Sequence, residues 1–284
     1  MKLIALDLDG TTLSSNNEIS NENIRAIKRA QQQGHIVMIL SGRAPESINS
    51  LLNKYNLELP LAGSNGTAVY ANGKLLELTS LSPSQNKLAL DILEKNYAPY
   101  RVYSNKGIYV PTDWEKRVEK SISGMPEEYS QSQFFERMTR NPGKAEGTSF
   151  FENVHSLLKE EEIRIQKFFI LTLNPNLKTR LWQSLLSVDD VYLTSSSSLN
   201  IEVMNGSGNK GNGLKVMADY FNIPLEDTIA IGDQFNDLPM LKVAGLSIAV
   251  DNAEDEIKKV CDVVTLSNDE NGVAYAIEKY ILKK

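Results

Sequence analysis

The sequence predicts an α/β protein: a doubly wound parallel sheet interrupted by an α+β insertion. Three observations predict this. Residues 2 to 8 and 35 to 40 (HIVMIL) are near-continuous apolar runs separated by one helical segment, the pattern of strands buried on both faces and joined in a βαβ unit. The same alternation returns after residue 211. Between these ends, strands and helices follow one another without regular βαβ order, which marks an α+β insertion.

Taken in order, residues 2 to 8 read as a short strand and residues 20 to 34 as a helix. Ser20 serves as N-cap, Glu22 and Asn23 follow in the first turn, and Gly34 is a stop signal. Ile24, Ile27 and Ala30 sit at helical spacing. After the second strand come two Asn-Gly pairs, Asn65-Gly66 and Asn72-Gly73, typical of tight turns between antiparallel strands. A helix is expected over 85 to 96 and a hairpin over 100 to 110. Residues 111 to 165 are polar and charged; the run from Lys159 to Arg164 reads as a solvated helix face. Residues 166 to 173 read as a strand and 176 to 187 as a helix. Residues 189 to 195 and 199 to 204 are strands, with Ser195 to Ser198 as a polar turn between them. The C-terminal part reads as helix (211 to 222), strand (228 to 232), helix (236 to 244), strand (245 to 250), helix (253 to 260), strand (262 to 266) and helix (271 to 282).

Composition narrows the function classes. The 284 residues hold 30 basic and 36 acidic side chains, a net charge of −6, which argues against nucleic acid or an anionic membrane as partner. The single cysteine, Cys261, excludes an internal disulfide. His35 and His155 are too few for a histidine cluster, so a metal site would use oxygen ligands. The apolar opening, Leu3 to Leu6, is broken at once by Asp7 and Asp9, too short and acidic for a signal-peptide core. A soluble cytoplasmic protein is expected.

Four segments carry chemistry. Asp7-Leu8-Asp9-Gly10-Thr11-Thr12 follows the first strand, where open parallel sheets bind ligands. Two carboxylates one residue apart converge on a cation only if the chain turns there, which Gly10 permits. Taken alone, the pair reads equally as a polar junction capping a turn. Gly232-Asp233-Gln234-Phe235-Asn236-Asp237 supplies a second acidic pair beyond another apolar strand. Two such junctions suit one hard-oxygen site for Mg²⁺, which keeps waters and takes a further ligand from a substrate phosphate. Ser41-Gly42-Arg43 ends the HIVMIL strand with a hydroxyl and a glycine that suit a phosphate oxygen, or simply with an ordinary strand-to-helix turn. Lys210 opens a helix after a glycine-rich loop. The helix dipole disfavours a cation there, and an anion bound beside it would explain the placement.

These four segments, in this order, resemble the motifs of the haloacid dehalogenase superfamily. DLDGTTL at 7 to 13 matches the first motif, Ser41-Gly42-Arg43 the second, Lys210 the third, and Gly232-Asp233-x-x-Asn236-Asp237 the fourth. Only 28 residues separate Thr12 from Ser41, leaving no room for a cap domain, whereas 166 separate Arg43 from Lys210. That arrangement resembles the Cof-type sugar-phosphatase branch. It implies a Rossmann-like core over 1 to 82 and 191 to 284, with an inserted α+β cap over 83 to 190 that sets substrate specificity.

The resemblance implies roles as well. Asp7 is the expected nucleophile, forming an aspartyl-phosphate, and Asp9 the general acid and then base. Asp7, the Asp9 backbone carbonyl and Asp233 are expected to hold Mg²⁺. The Leu8 N–H, Ser41, Gly42, Lys210 and Asn236 are expected to hold the phosphoryl group. Asp237 would orient Lys210 or a metal-bound water, with Thr11 and Arg43 in support. Arg43, Arg101, Tyr103, Trp114 and Arg137 are candidates to reach substrate, or else pack at the surface and within the cap. Asn65 and Asn252 are candidates to line the entrance. The implied substrate is a small phosphorylated metabolite, a sugar phosphate or related phosphomonoester. Dehalogenation would need neither Asp9 nor Asp233. A P-type pump would show Lys-Thr-Gly after the nucleophile and membrane helices. A phosphomutase would place its cap between the first two motifs. A non-catalytic sugar-phosphate sensor would have no use for an acid two residues from a nucleophile.

Overall fold

The computed structural model describes residues 1–122 and 148–282. In chain order its strands are β1 (Leu3–Leu6), β2 (Ile36–Leu40), β3 (Leu61–Gly63), β4 (Ala68–Ala71), β5 (Lys74–Leu78), β6 (Tyr100–Ser104), β7 (Gly107–Pro111), β8 (Thr148–Phe151), β9 (Ile165–Leu171), β10 (Val191–Thr194), β11 (Asn200–Asn205), β12 (Thr228–Gly232), β13 (Leu246–Ala249) and β14 (Val263–Val264). The chain divides into two compact units, Met1–Leu78 with Asn209–Lys284, and Thr79–Gly208.

The first unit is built on one sheet in the order β14-β13-β12-β1-β2-β3-β4-β5. Pairing is parallel from β14 to β3 and antiparallel from β3 to β5. Leu3, Ile4, Ala5 and Leu6 are fully buried, as continuous apolar strands under helices on both faces should be. Helix Asn21–Gln32 starts where the Ser20 side chain accepts from Asn23 N at 3.1 Å, and it buries Ala26, Ile27 and Ala30 against the sheet core. Asn72 and Gly73 both take positive φ and join β4 to β5, as an Asn-Gly hairpin turn requires.

The strand order positions a site. From β1 the chain steps one way through β2 and β3; from β12 it steps the other way through β13 and β14. The order reverses between β1 and β12, which pair in register with Leu6 beside Ile231. Asp7 and Asp233 lie just beyond those two carboxyl ends. In open α/β sheets that crevice is where ligands bind.

The second unit has a six-stranded sheet, β10-β11-β9-β6-β7-β8, antiparallel except between β7 and β8. Leu90 and Leu93 of helix Pro83–Lys95 and Leu181 and Leu185 of helix Pro175–Leu185 pack with Tyr100, Phe168, Ile170 and Ile201. The alternate strand positions, Arg101, Phe169 and Glu202, stand in register on the opposite face.

Two expectations are corrected. The insertion was expected to end at residue 190, but β10 and β11 belong to the second sheet, so that unit runs to Gly208. The serine turn Ser195 to Ser198 makes the two strands a hairpin, and β9 satisfies the open backbone edge of β11. The charge run Lys159 to Arg164 forms turns before β9 and not a helix; the helix there is only Val154–Leu157. Among the described residues no helix is long and apolar enough to cross a membrane.

Candidate active site

The first motif departs from strand geometry at once. Asp7 N still donates to Ile231 O at 3.0 Å, and then Leu8–Thr12 wraps into one wide turn closed by Leu13 N on Leu8 O at 2.9 Å. Gly10 sits in this turn at φ +82°, and a Cβ there would lie 2.5 Å from Asp233 Oδ2. Only glycine meets both conditions. Thr12 Oγ1 donates to the Asp7 carbonyl at 2.5 Å, and Thr11 Oγ1 donates to Asp233 Oδ1 at 2.7 Å.

The turn brings the first and fourth motifs together on Lys210, the first residue of helix Lys210–Tyr220. Lys210 Nζ donates to Asp7 Oδ1 and to Asp237 Oδ1, each at 2.5 Å. The anions expected at this helix start are therefore two carboxylates of the chain itself. Asp237 Oδ2 accepts from the backbone N–H groups of Asp233 and Gln234, both at 2.9 Å. Both oxygens of Asp237 are thus engaged. This favours the orienting role over direct metal ligation.

The charge balance is uneven. Asp7, Asp233 and Asp237 each place an oxygen within 4.8 Å of the others, and all three are buried. Lys210 is fully buried beside them. Burial pushes the Asp7 carboxyl up to about 7, against the pull of Lys210, with Asp237 adding to the rise. Burial, then Asp7 and Asp237, also raise Asp233 well above the usual carboxylate range. Burial would lower Lys210, but Asp237 and Asp7 outweigh it and the ammonium is held above its ordinary value. Three crowded carboxylates in a dry site want more positive charge than one lysine supplies. A hard divalent cation with oxygen ligands fits that deficit, and Asp7 and Asp233 are the carboxylates best able to hold it.

The second motif lies alongside. Ser41 is buried, its Oγ accepts from Arg43 N at 3.3 Å and its carbonyl from Asn65 N at 2.9 Å. A Cβ on Gly42 would come within 3.0 Å of Asn65 Oδ1. Asn236 Nδ2 donates to that same oxygen at 3.2 Å, so Asn65 ties the second motif to the fourth. Asn65 is buried and takes φ +61° in the turn before β4; it is a bridge between motifs more than an entrance residue.

Asp9 and Arg43 form a separate arrangement. The Asp9 carboxylate stands outside the three-carboxylate cluster. Arg43 Nε donates to its Oδ2 at 2.8 Å and Nη2 to its Oδ1 at 2.6 Å. Arg43 was expected at the rim as a substrate contact; its partner here is Asp9.

Sequence reasoning missed a bracket of asparagines around the first motif. Asn252 Nδ2 donates to Gly10 O at 2.8 Å, Asn23 Nδ2 to Thr12 O at 3.2 Å, and Asn268 Nδ2 to Leu13 O at 2.8 Å. Asn252 Oδ1 in turn accepts from Asn268 N, and Asn23 Oδ1 from Ala274 N, each at 2.9 Å. Asn252 therefore holds the loop. Asn23 had a readable signal: with Ile27 and Ala30 it falls on the buried face of its helix, where an amide needs partners.

Within the second unit, the Arg101 guanidinium lies 5.0 Å from the Trp114 ring and 5.9 Å from Phe169, and both Arg101 and Trp114 are buried. Lys167 Nζ is 4.5 Å from the Tyr103 ring and pairs with Glu202 at 3.2 Å. Arg137 lies outside the described residues.

Comparison with known proteins bears on the whole chain. Residues 4–277 match the family model for haloacid dehalogenase-like hydrolase. The chain is 31% identical to phosphatase YwpJ of Bacillus subtilis (strain 168), over 98% of this chain and 99% of the relative. It is 34% identical to the 5-amino-6-(5-phospho-D-ribitylamino)uracil phosphatase YwtE of the same organism, over 99% and 98%. A solved haloacid dehalogenase-like hydrolase from B. subtilis matches with a TM-score of 0.87 at 29% identity, covering 99% of this chain and 100% of that one.

Proposed function

We infer that this chain, which belongs to the haloacid dehalogenase-like hydrolase family, is a Mg²⁺-dependent phosphatase that hydrolyses small phosphomonoesters through an aspartyl-phosphate on Asp7. The observation that carries the reading is Lys210 Nζ held between Asp7 and Asp237, with Asp233 beside them and one positive charge against three buried carboxylates. A binding site for a phosphate dianion has no use for that much negative charge. A carboxylate nucleophile with a cation does.

Asp7 attacks phosphorus, the P–O bond to the substrate alcohol breaks, and the leaving alkoxide takes a proton from Asp9. The resulting carboxylate of Asp9 then accepts a proton from water, whose oxygen attacks phosphorus and releases phosphate from Asp7. Two easier displacements replace one. Lys210, Ser41, the Gly42 segment, Asn236 and the Leu8 N–H hold the phosphoryl oxygens, where preorganised donors stabilise a charge-spread transition state. Asp237 fixes Lys210. Asp7, Asp233 and the Asp9 carbonyl would hold Mg²⁺, which when bound would neutralise further phosphoryl charge. The substrate reading, a sugar phosphate or related ester, is supported by YwtE, whose named substrate carries a phosphorylated ribityl chain. Specificity would reside in the Thr79–Gly208 unit as a cap.

The test is Mg²⁺-dependent phosphate release from p-nitrophenyl phosphate, followed by a screen of phosphorylated sugars, cofactors and nucleotides ranked by kcat/KM. EDTA should abolish turnover and Mg²⁺ restore it. Ca²⁺ should inhibit, because its larger coordination shell can engage both oxygens of Asp7 and leave none to attack. Full activity in Ca²⁺, or binding of sugar phosphates without release of phosphate, contradicts the reading.

A further inference from the structure

We propose that Arg43 is a positioning residue for Asp9, setting the carboxylate for its proton transfers and leaving the phosphoryl group to other donors; this rests on the acid/base reading of Asp9. The two guanidinium bonds, 2.8 and 2.6 Å, form a parallel fork on the two carboxylate oxygens. Such a pairing fixes the plane of a carboxylate as well as its place. Asp9 needs that restraint. Its side chain is half exposed, it precedes Gly10 in the wide turn, and its carboxylate lies outside the cluster organised by Lys210.

Arg43 is well placed to supply it. Its backbone N donates to Ser41 Oγ and its carbonyl accepts from Ser64 N at 2.7 Å, so the side chain springs from a fixed base. β1 and β2 are neighbours in register, Leu6 beside Ile39, so the segments carrying Asp9 and Arg43 leave the sheet side by side. The fork uses one lone-pair site on each oxygen of the roughly four that a carboxylate offers. Half of the Asp9 side chain is exposed, so water screens the pair and its contribution to folding is modest. Its purpose is better sought in turnover.

The experiment measures single-turnover phosphorylation of the enzyme by benzyl, phenyl and p-nitrophenyl phosphate, whose leaving groups need progressively less help from a proton. Wild type, Arg43→Ala, Arg43→Lys, Asp9→Asn and the double variant Arg43→Ala/Asp9→Asn are compared, with inhibition by inorganic phosphate as the binding readout. Arg43→Ala should slow benzyl phosphate by about 10- to 100-fold, the scale of a misplaced catalytic group, and p-nitrophenyl phosphate far less. Arg43→Lys should recover only part of the loss, because an ammonium cannot reproduce the fork. The double variant should be no slower than Asp9→Asn, and the phosphate inhibition constant should stay put. Equal losses on all three esters, a weakened phosphate inhibition constant, or losses that multiply in the double variant would overturn the proposal and make Arg43 a phosphoryl ligand. If Asp9→Asn itself shows no leaving-group dependence, the acid/base reading is what fails. If Asp9→Asn shows it and Arg43→Ala does not, only the positioning role falls.

Discussion

Both units of the protein bury charge, and they do it differently. In the Thr79–Gly208 unit, Lys167 and Glu202 form a buried pair of one cation and one anion. Arg117 is bound by Glu94 and Asp113, but each of those carboxylates is about a third exposed, so water shares the load. Burial works against the Asp113 carboxyl, yet Arg117 and Tyr97 hold it below its ordinary value. In the other unit three carboxylates are buried on one lysine, and Asp7 and Asp233 are pushed up. The difference teaches that a matched buried pair reads as scaffold, whereas unmatched buried charge marks the candidate place for a cation and a phosphoryl group.

The contrast can be broken most severely at Asp7. Asp7→Asn removes the proposed nucleophile and one of the unmatched charges, and turnover should fall on the order of 10⁴-fold or more, as when a covalent catalyst is deleted. Thermal unfolding should show the variant folded, since relieving like-charge crowding does not open the core. A loss of tenfold or so, on any ester, would place the chemistry elsewhere.

The two lysines sharpen it next. Lys210→Met should lower kcat by about 10²- to 10³-fold, the scale for losing one donor to a transition-state oxyanion. Both this substitution and Lys167→Met break a buried pair and should cost stability, about 3–5 kcal/mol for Lys167→Met, but only Lys210→Met should also slow the folded molecule. Replacing Lys167 and Glu202 together by Met and Leu should recover much of the stability lost in Lys167→Met. Denaturant titration reads both, and p-nitrophenyl phosphate turnover per folded molecule should change little in the Lys167 variants. Equal damage to turnover by both lysine variants would erase the distinction between scaffold and site.

Legibility from sequence follows the same division. The aspartates at the ends of β1 and β12 were readable because folding alone gives an apolar strand little reason to end in crowded carboxylates, least of all with Gly10 there to turn them inward. The Asp237–Lys210 contact was accessible only as an alternative, since it joins residues on different elements. Arg43 was legible as important but not as a partner of Asp9, because adjacency of β1 and β2 does not say which way a long side chain turns. The bracketing role of Asn23, Asn252 and Asn268 was not legible, since it is to fill backbone acceptors of a loop whose path only the fold reveals, and Asn252 was read only as an entrance candidate. In the second unit the strands were legible from their apolar runs, but β10 and β11 look the same whether they pair with β9 or continue a parallel sheet. Polarity alone also suggested a helix over Lys159 to Arg164, where turns are all the sequence needs.

A smaller effect probes the support of the unmatched charges. Asn23→Ala removes the amide that joins Thr12 O to Ala274 N, leaving two buried backbone groups without that partner. It should cost about 1–3 kcal/mol in stability, with a modest fall in kcat from a looser first motif. Denaturant titration and steady-state kinetics together check this; unchanged stability would show that the loop holds its shape without the bracket.

The most direct measurement is the stereochemical course at phosphorus. A phosphorothioate monoester, its phosphorus made chiral by sulfur and two oxygen isotopes, is hydrolysed by the wild-type protein in water carrying the third isotope, and the configuration of the released thiophosphate is read. Transfer to Asp7 followed by transfer to water inverts phosphorus twice, so the account predicts net retention. Net inversion would mean that water attacks the substrate directly, and Asp7 would then be a charge beside the reaction and not a participant in it.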